Sequence, residues 1–232
     1  MNVLYEDNHL LIINKKNGEL VQADTTDTVA LEDQARTYIK EKYNKPGEVF
    51  LHATHRIDRP VSGIIIFART SKALARMNAL FQEKKIQKTY WALVEGRLEN
   101  TNEVKLENFM RKNEKSNKSF ITESAEKSQN AILYYKTIQV FDNFTLLEIR
   151  LETGRHHQIR CQLGHIGHAI RGDVKYGARR NSHQGMIALH ARKIAFEYPV
   201  QKENTKETKR MKLEAPIISM AGSIWKPFLA EE

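Results

Sequence analysis

Cysteine is almost missing from this chain. The only one, Cys161, excludes an intramolecular disulfide and a four-cysteine zinc site, and it suits a reducing compartment. No apolar run approaches the length of a membrane span, and Met1–Asp7 has neither the basic region nor the apolar core of a signal peptide. The expectation is a soluble, cytoplasmic protein. There is no internal repeat, low-complexity linker or sustained heptad, so one domain over residues 1–232 is the economical reading. A phosphate-binding loop, a dinucleotide fingerprint and an HExxH pattern are also missing, and no nucleotide cofactor is indicated. Ser62-Gly63 lacks the flanking glycine of a nucleophile elbow. His156, His157, His165 and His168, with Asp173 near in sequence, match no recurrent zinc motif, and no metal is expected.

Positive charge is abundant instead. Thirty-seven Lys and Arg face 28 Asp and Glu, giving a formal net charge of +9. This points to a polyanionic partner, nucleic acid first. An acidic membrane surface is disfavoured, because no long helix pairs a bulky apolar face with a basic one.

Taken in order, Leu10–Ile13 reads as a short strand, followed by an Asn17-Gly18 turn after which Leu20-Val21 is expected to return. Leu31, Ala35, Tyr38 and Ile39 fall at helical spacing between Thr28 and about Tyr43, with Asp27 or Thr28 as cap and Pro46-Gly47 as stop. Ile64–Ala68 is a short β-branched run that suits a buried strand, and a second helix starts near Ser71. Strands are expected at Lys88–Gly96, Ala131–Tyr135, Thr145–Leu151 and Ala188–Phe196, with a short helix from His156 to Leu163 closed by Gly164. Residues 99–130 are polar and read as a solvated insertion or mobile hairpin, Gln201–Arg210 as a loop between strands, and the stretch from Pro216 to Phe228 as an end piece with a short helix. Strands outnumber helices, so the class is α+β with a large mixed, mainly antiparallel sheet flanked by helices and loops.

Two polar constellations stand out against this frame. In His55-Arg56-Ile57-Asp58-Arg59-Pro60-Val61-Ser62-Gly63, one carboxylate lies among three bases, and Pro60 disfavours a helix. Asp58 therefore sits on a loop beside a buried strand, where scaffolds hold reactive groups; the plain alternative is a surface ion pair with Arg56 or Arg59. The second is Thr153-Gly154-Arg155-His156-His157-Gln158-Ile159-Arg160. Tyr90, on its own, reads as a strand core residue.

His55-Arg56-Ile57-Asp58 with Ser62-Gly63, Lys88-Thr89-Tyr90 before Val94-Glu95-Gly96, and the Thr153–Arg160 stretch occur in that order. With Gly172-Asp173-Val174-Lys175-Tyr176-Gly177 and Leu189-His190-Ala191, they closely resemble the RluA family of RNA pseudouridine synthases, from about Leu4 to Leu229. The resemblance implies a pseudouridine synthase domain that isomerises uridine in ribosomal or transfer RNA without metal, nucleotide or redox cofactor. It assigns Asp58 as the catalytic carboxylate, Arg160 as its partner and Tyr90 as the residue stacked on the target base. Arg56 would enter the RNA stem as the uridine is flipped out, and His55, Arg59, Arg155 and His157 would contact RNA. Asp58 could attack the anomeric carbon or take a proton from the neighbouring ribose carbon; the sequence leaves both open. Val61 stands where many relatives have threonine, and Lys16-Asn17-Gly18 replaces a lysine-proline-small-glycine turn. No S4 RNA-binding domain is expected, which leaves target recognition to the catalytic domain, the 99–130 segment and the basic surface, in a monomer. The reading from another class is a non-catalytic basic RNA-binding module on the same fold.

Overall fold

A computed structural model describes residues 1–23, 28–99, 102–180, 182, 185–200, 209–218 and 224–225. Along the chain run β1 (Val3–Glu6), β2 (Leu10–Lys15), α1 (Leu31–Lys42), β3 (His52–Ala53), β4 (Ser62–Ala68), α2 (Ser71–Gln82) and β5 (Gln87–Glu95). They are followed by β6 (Val104–Asn113), β7 (Lys118–Thr122), β8 (Gln129–Val140), β9 (Phe144–Leu151), α3 (Gln158–His165), β10 (Leu189–Glu197) and β11 (Arg210–Glu214). Two compact units result: Met1–Ile86 with Ala191–Pro216, and Gln87–His190 with Ile217–Glu232.

In the first unit the strand order is β1-β2-β4-β10, with β11 on β10 and β3 on β4. Its central strands are continuous apolar runs because both faces are covered. Leu11, Ile13, Ile65 and Phe67 pack with Leu31, Ala35 and Ile39 of α1, while Leu10, Ile12, Ile64 and Ile66 pack with Ala73 and Met77 of α2. This alternation is the period of a strand met by a helix on each side. Gly63 begins this strand for a steric reason: a Cβ there would lie 2.4 Å from the Ala191 carbonyl oxygen.

The second unit is an antiparallel sheet in the order β5-β9-β8-β6-β7. The α3 helix packs against β6 and β7 through Cys161, with Met110, Ala131 and Tyr176 in the same buried cluster. The expected α+β class with a mainly antiparallel sheet is what the chain forms.

Several local expectations need correction. The α1 helix starts at Leu31, and its N-cap is Ala30 rather than Thr28; Asp27 lies outside the described residues. Backbone carbonyls replace a side-chain cap, since the Leu31 and Glu32 N–H groups donate to Leu20 and Val21. Leu20-Val21 thus forms no strand; it docks on the helix start. Of the two readings of the polar stretch 99–130 the structure shows the hairpin, β6 with β7, followed by the start of β8, with Met110, Ser119 and Ala131 buried beneath its outer face. The α3 helix starts at Gln158, not His156, and Gly164 lies inside it rather than closing it. The reason is packing, since a Cβ on Gly164 would meet the Tyr176 carbonyl oxygen at 2.6 Å. Residues 201–208 and most of 216–228 lie outside the described residues.

Candidate active site

Asp58 lies on the loop between β3 and β4, and that loop is anchored chiefly through its backbone. The Asp58 carbonyl accepts from the Val61 N–H, closing a turn. The Gly18 N–H donates to the Arg59 carbonyl, Asn17 Nδ2 donates to the Pro60 carbonyl at 2.7 Å, and Arg59 Nε returns a bond to the Gly18 carbonyl. At the other end, Thr54 bonds Ile66 through both its N–H and its hydroxyl, and the Ile66 N–H donates to His55 Nε2. Val61, 2% exposed, seals the loop against the interior. The short Lys16–Gly18 turn is therefore a clamp on the Asp58 loop. The His55 ring serves the backbone of β4, and Arg59 ties the loop to the turn. Arg56 is exposed and makes no side-chain hydrogen bond or ion pair with any described residue, so neither Arg56 nor Arg59 forms the plain surface pair with Asp58.

Beneath the loop sits a residue that sequence reasoning missed. Lys15 is wholly buried, and its Nζ donates to the carbonyls of Lys16 at 2.9 Å and Arg59 at 3.1 Å. Burial pushes this ammonium down to about 7, while Glu19 and Asp58 pull it up and Arg59 opposes them. The usable signal was a lysine closing the strand that begins with the apolar run Leu10–Ile13. Between about pH 7 and the ordinary lysine range near 10.4, the unfolded chain binds the Lys15 proton that the folded chain has released. Stability therefore rises with pH across that window. Denaturant unfolding at pH 7 and pH 9 should show the wild type gaining about 2 kcal/mol more than Lys15→Met. Parallel pH dependences for the two proteins would contradict this account.

The second unit carries the other polar constellation. Arg160 is buried on α3 and forms a two-pronged pair with Asp173, Nε to Oδ2 at 2.6 Å and Nη2 to Oδ1 at 2.9 Å. Its guanidinium also lies over the Tyr176 ring, 5.1 Å from the centroid. Asp173 is 2% exposed and begins the turn that carries Tyr176. The expectation gave Arg160 one carboxylate partner and missed this one, although Asp173 stood within the quoted Gly172–Gly177 motif.

A hydroxyl network fixes the start of α3. The Tyr176 hydroxyl accepts from the Ser119 N–H and lies 2.8 Å from His157 Nδ1. Burial, offset in part by the Ser119 N–H, pushes the Tyr176 phenol up to about 12, so it keeps its proton. Ser119 Oγ donates to the His156 carbonyl, which leaves His156 Nδ1 as the donor to Oγ at 2.9 Å. The two imidazoles stack 3.7 Å apart, with His157 in the left-handed region at φ 53°. Arg155 Nε bonds the Asn130 carbonyl. Of the residues expected at the RNA, His157 is engaged by the Tyr176 hydroxyl and Arg155 ties the start of α3 to β8. Tyr90 is 9% exposed on β5, opposite Ile149 of β9.

The fold defines an α+β protein whose carboxylate-bearing loop opens onto a buried strand. The sequence pattern of the RNA pseudouridylate synthase family matches residues 9–165, and the chain belongs to that family. Ribosomal large subunit pseudouridine synthase C of Vibrio vulnificus is 33% identical over 207 residues, which is 87% of this chain and 62% of that protein. The enzyme of the same name from Buchnera aphidicola is 33% identical over 228 residues, covering 93% of this chain and 67% of its own. This chain thus spans about two thirds of the length of these relatives. The solved human RNA pseudouridylate synthase domain containing 4 matches with a TM-score of 0.74 at 20% identity, covering 93% of this chain and 88% of that one, and has the same fold.

Proposed function

We propose that this chain isomerises uridine to pseudouridine in RNA, with Asp58 as the reacting carboxylate. The observation that carries this reading is the Asp58 loop, whose backbone is bound at Asp58, Arg59 and Pro60 so that one carboxylate is held in place at the start of a buried strand. Preorganisation of this kind is what a group acting on an anomeric centre requires. The reaction breaks the bond between the base nitrogen and the ribose, turns the base, and rejoins it through carbon, whose proton is lost as the nitrogen regains one. Asp58 acts either on the anomeric carbon or as base toward the ribose. Arg160 supplies the positive partner charge, and Tyr90 stacks on the base. Both roles rest on the family motifs. Ribosomal RNA is the favoured substrate, because the curated relatives are named for the large ribosomal subunit. No helix among the described residues is long and apolar enough to cross a membrane. A cytoplasmic monomer completes the reading.

The test is tritium release from bulk ribosomal and transfer RNA labelled at the base carbon that becomes glycosidic, in chelating buffer. Release from ribosomal RNA is expected. None from either RNA, with binding intact, would favour the non-catalytic module. Arg56 gives a second measurement. A flipped uridine costs a few kcal/mol of stacking and pairing, and the family motif gives Arg56, exposed and without an ion pair among the described residues, the role of occupying the vacated space. Arg56→Ala should lower kcat/KM on a structured stem by about ten- to a hundredfold and on an unstructured strand by much less. Equal losses on both would make Arg56 an ordinary phosphate contact.

A further inference from the structure

The β6–β7 hairpin has two unlike faces. Its inner face is used: Met110 and Ser119 are 3% exposed and pack toward α3, and Ser119 bonds the Tyr176 hydroxyl and His156. Its outer face carries Phe109 at 39% and Phe120 at 42% exposure, two of the largest apolar groups the second unit leaves in solvent. Arg111 stands directly across from Phe120, and Phe109 across from Thr122, which makes the two rings diagonal neighbours on one face. Neither ring has an aromatic partner among the described residues, and Arg111 has no ion pair there.

The rest of that face narrows the position. Tyr134, further along, already has the Arg150 guanidinium 4.0 Å from its ring centroid. Glu107, the carboxylate near Phe109, is bonded by Lys105 and Asn130, so its charge is compensated. What remains open is two aromatic rings and one unpaired arginine on a rigid sheet. Single isolated apolar groups on a surface need no account, but paired rings beside an unpaired cation are the elements with which sheet surfaces stack unpaired bases.

We propose that Phe109, Phe120 and Arg111 form a stacking platform for single-stranded RNA. Two unpaired bases lie on the rings and Arg111 meets the adjoining phosphate. The occupant is RNA because the exposed rings are accompanied by an unpaired cation on a chain of net charge +9. The proposal rests on the RNA reading above and deepens it: the platform selects substrates that carry an unpaired tract.

The probe is a short fluorescein-labelled oligouridylate, titrated with the whole protein at fixed salt. Phe109→Ala with Phe120→Ala should weaken binding by about tenfold per ring. Phe109→Tyr with Phe120→Tyr should restore it, whereas leucine at both positions should not, since leucine is apolar but has no π face. Arg111→Gln should weaken binding and also flatten its salt dependence by about 0.7 in logarithmic slope. All these side chains are exposed, so thermal unfolding should stay where the wild type has it. Unchanged affinity in the alanine pair overturns the platform. So does full binding by the leucine pair, or a wild-type dimer in sedimentation that the alanine pair abolishes, which would make this face a contact between copies. The isomerase reading is read separately by tritium release. A wild type that binds the probe in the ring-dependent way but releases no tritium keeps the platform and loses the enzyme; release with ring-independent binding does the reverse.

Discussion

Asp58→Asn should abolish tritium release while leaving RNA affinity within about threefold of wild type. The carboxylate and the amide have nearly the same shape, and the loop is anchored by groups the substitution does not touch: the Arg59 and Pro60 carbonyls, the Lys15 ammonium and the Asn17 amide. The loop should therefore keep its conformation, and only the charge and basicity of one group are lost. As a general base alone, Asp58 would contribute about 10²- to 10⁴-fold, and a nucleophile has no substitute in an amide, so the loss should meet or exceed that range. Measuring product and RNA affinity together separates chemistry from binding. A variant that turns over at a tenth of the wild-type rate would remove Asp58 from the reaction, whichever of its two roles is assumed. A variant that also loses RNA would show that the loop, rather than the carboxylate, had been damaged.

Much of this loop could be read from sequence, and the reason is local. Ile64–Ala68 is apolar at every position because α1 and α2 cover both faces of β4, and Pro60 with Gly63 bounds the run on one side. What could not be read was the clamp. The bonds from Asn17, Gly18 and Lys15 to Arg59 and Pro60 join residues more than forty apart in the chain, and Lys15 shows no sign of burial in its own residue type. The stretch 99–130 could be read only as a solvated insertion or a hairpin, for a related reason. An alternation is present in β6, where Val104, Leu106 and Met110 lie inward of Lys105 and Glu107, but Asn108 on the inner face and Phe109 on the outer face blur it, and β7 adds only Ser119 and Ile121 on the inner side. The start of α3 was misplaced because His156 and His157 are held by Ser119 and Tyr176, partners on other elements that no helix propensity reports.

Asp173, within the Gly172–Gly177 motif, takes a testable role from its pairing with Arg160. Both of its oxygens are taken by Arg160, and both side chains are buried. Asp173→Ala would leave a guanidinium in the interior without this carboxylate, which typically costs about 3–5 kcal/mol, so a marked fall in denaturation midpoint is expected. Activity should fall with it, because the direction of the Arg160 guanidinium is set by this two-pronged pair. Asp173→Asn keeps the shape but removes the charge and turns an amide N–H toward the guanidinium; it should fold, with kcat reduced about a hundredfold and KM changed little. The double substitution Arg160→Met with Asp173→Leu separates stability from chemistry. Replacing a buried pair by apolar groups is often neutral or stabilising, so the double variant should regain most of the stability that Asp173→Ala loses. It should remain inactive, since Arg160 is gone. An active double variant would place Arg160 and Asp173 in the architecture alone. A wild-type rate for Asp173→Asn would show that the guanidinium holds its position without the charge opposite it.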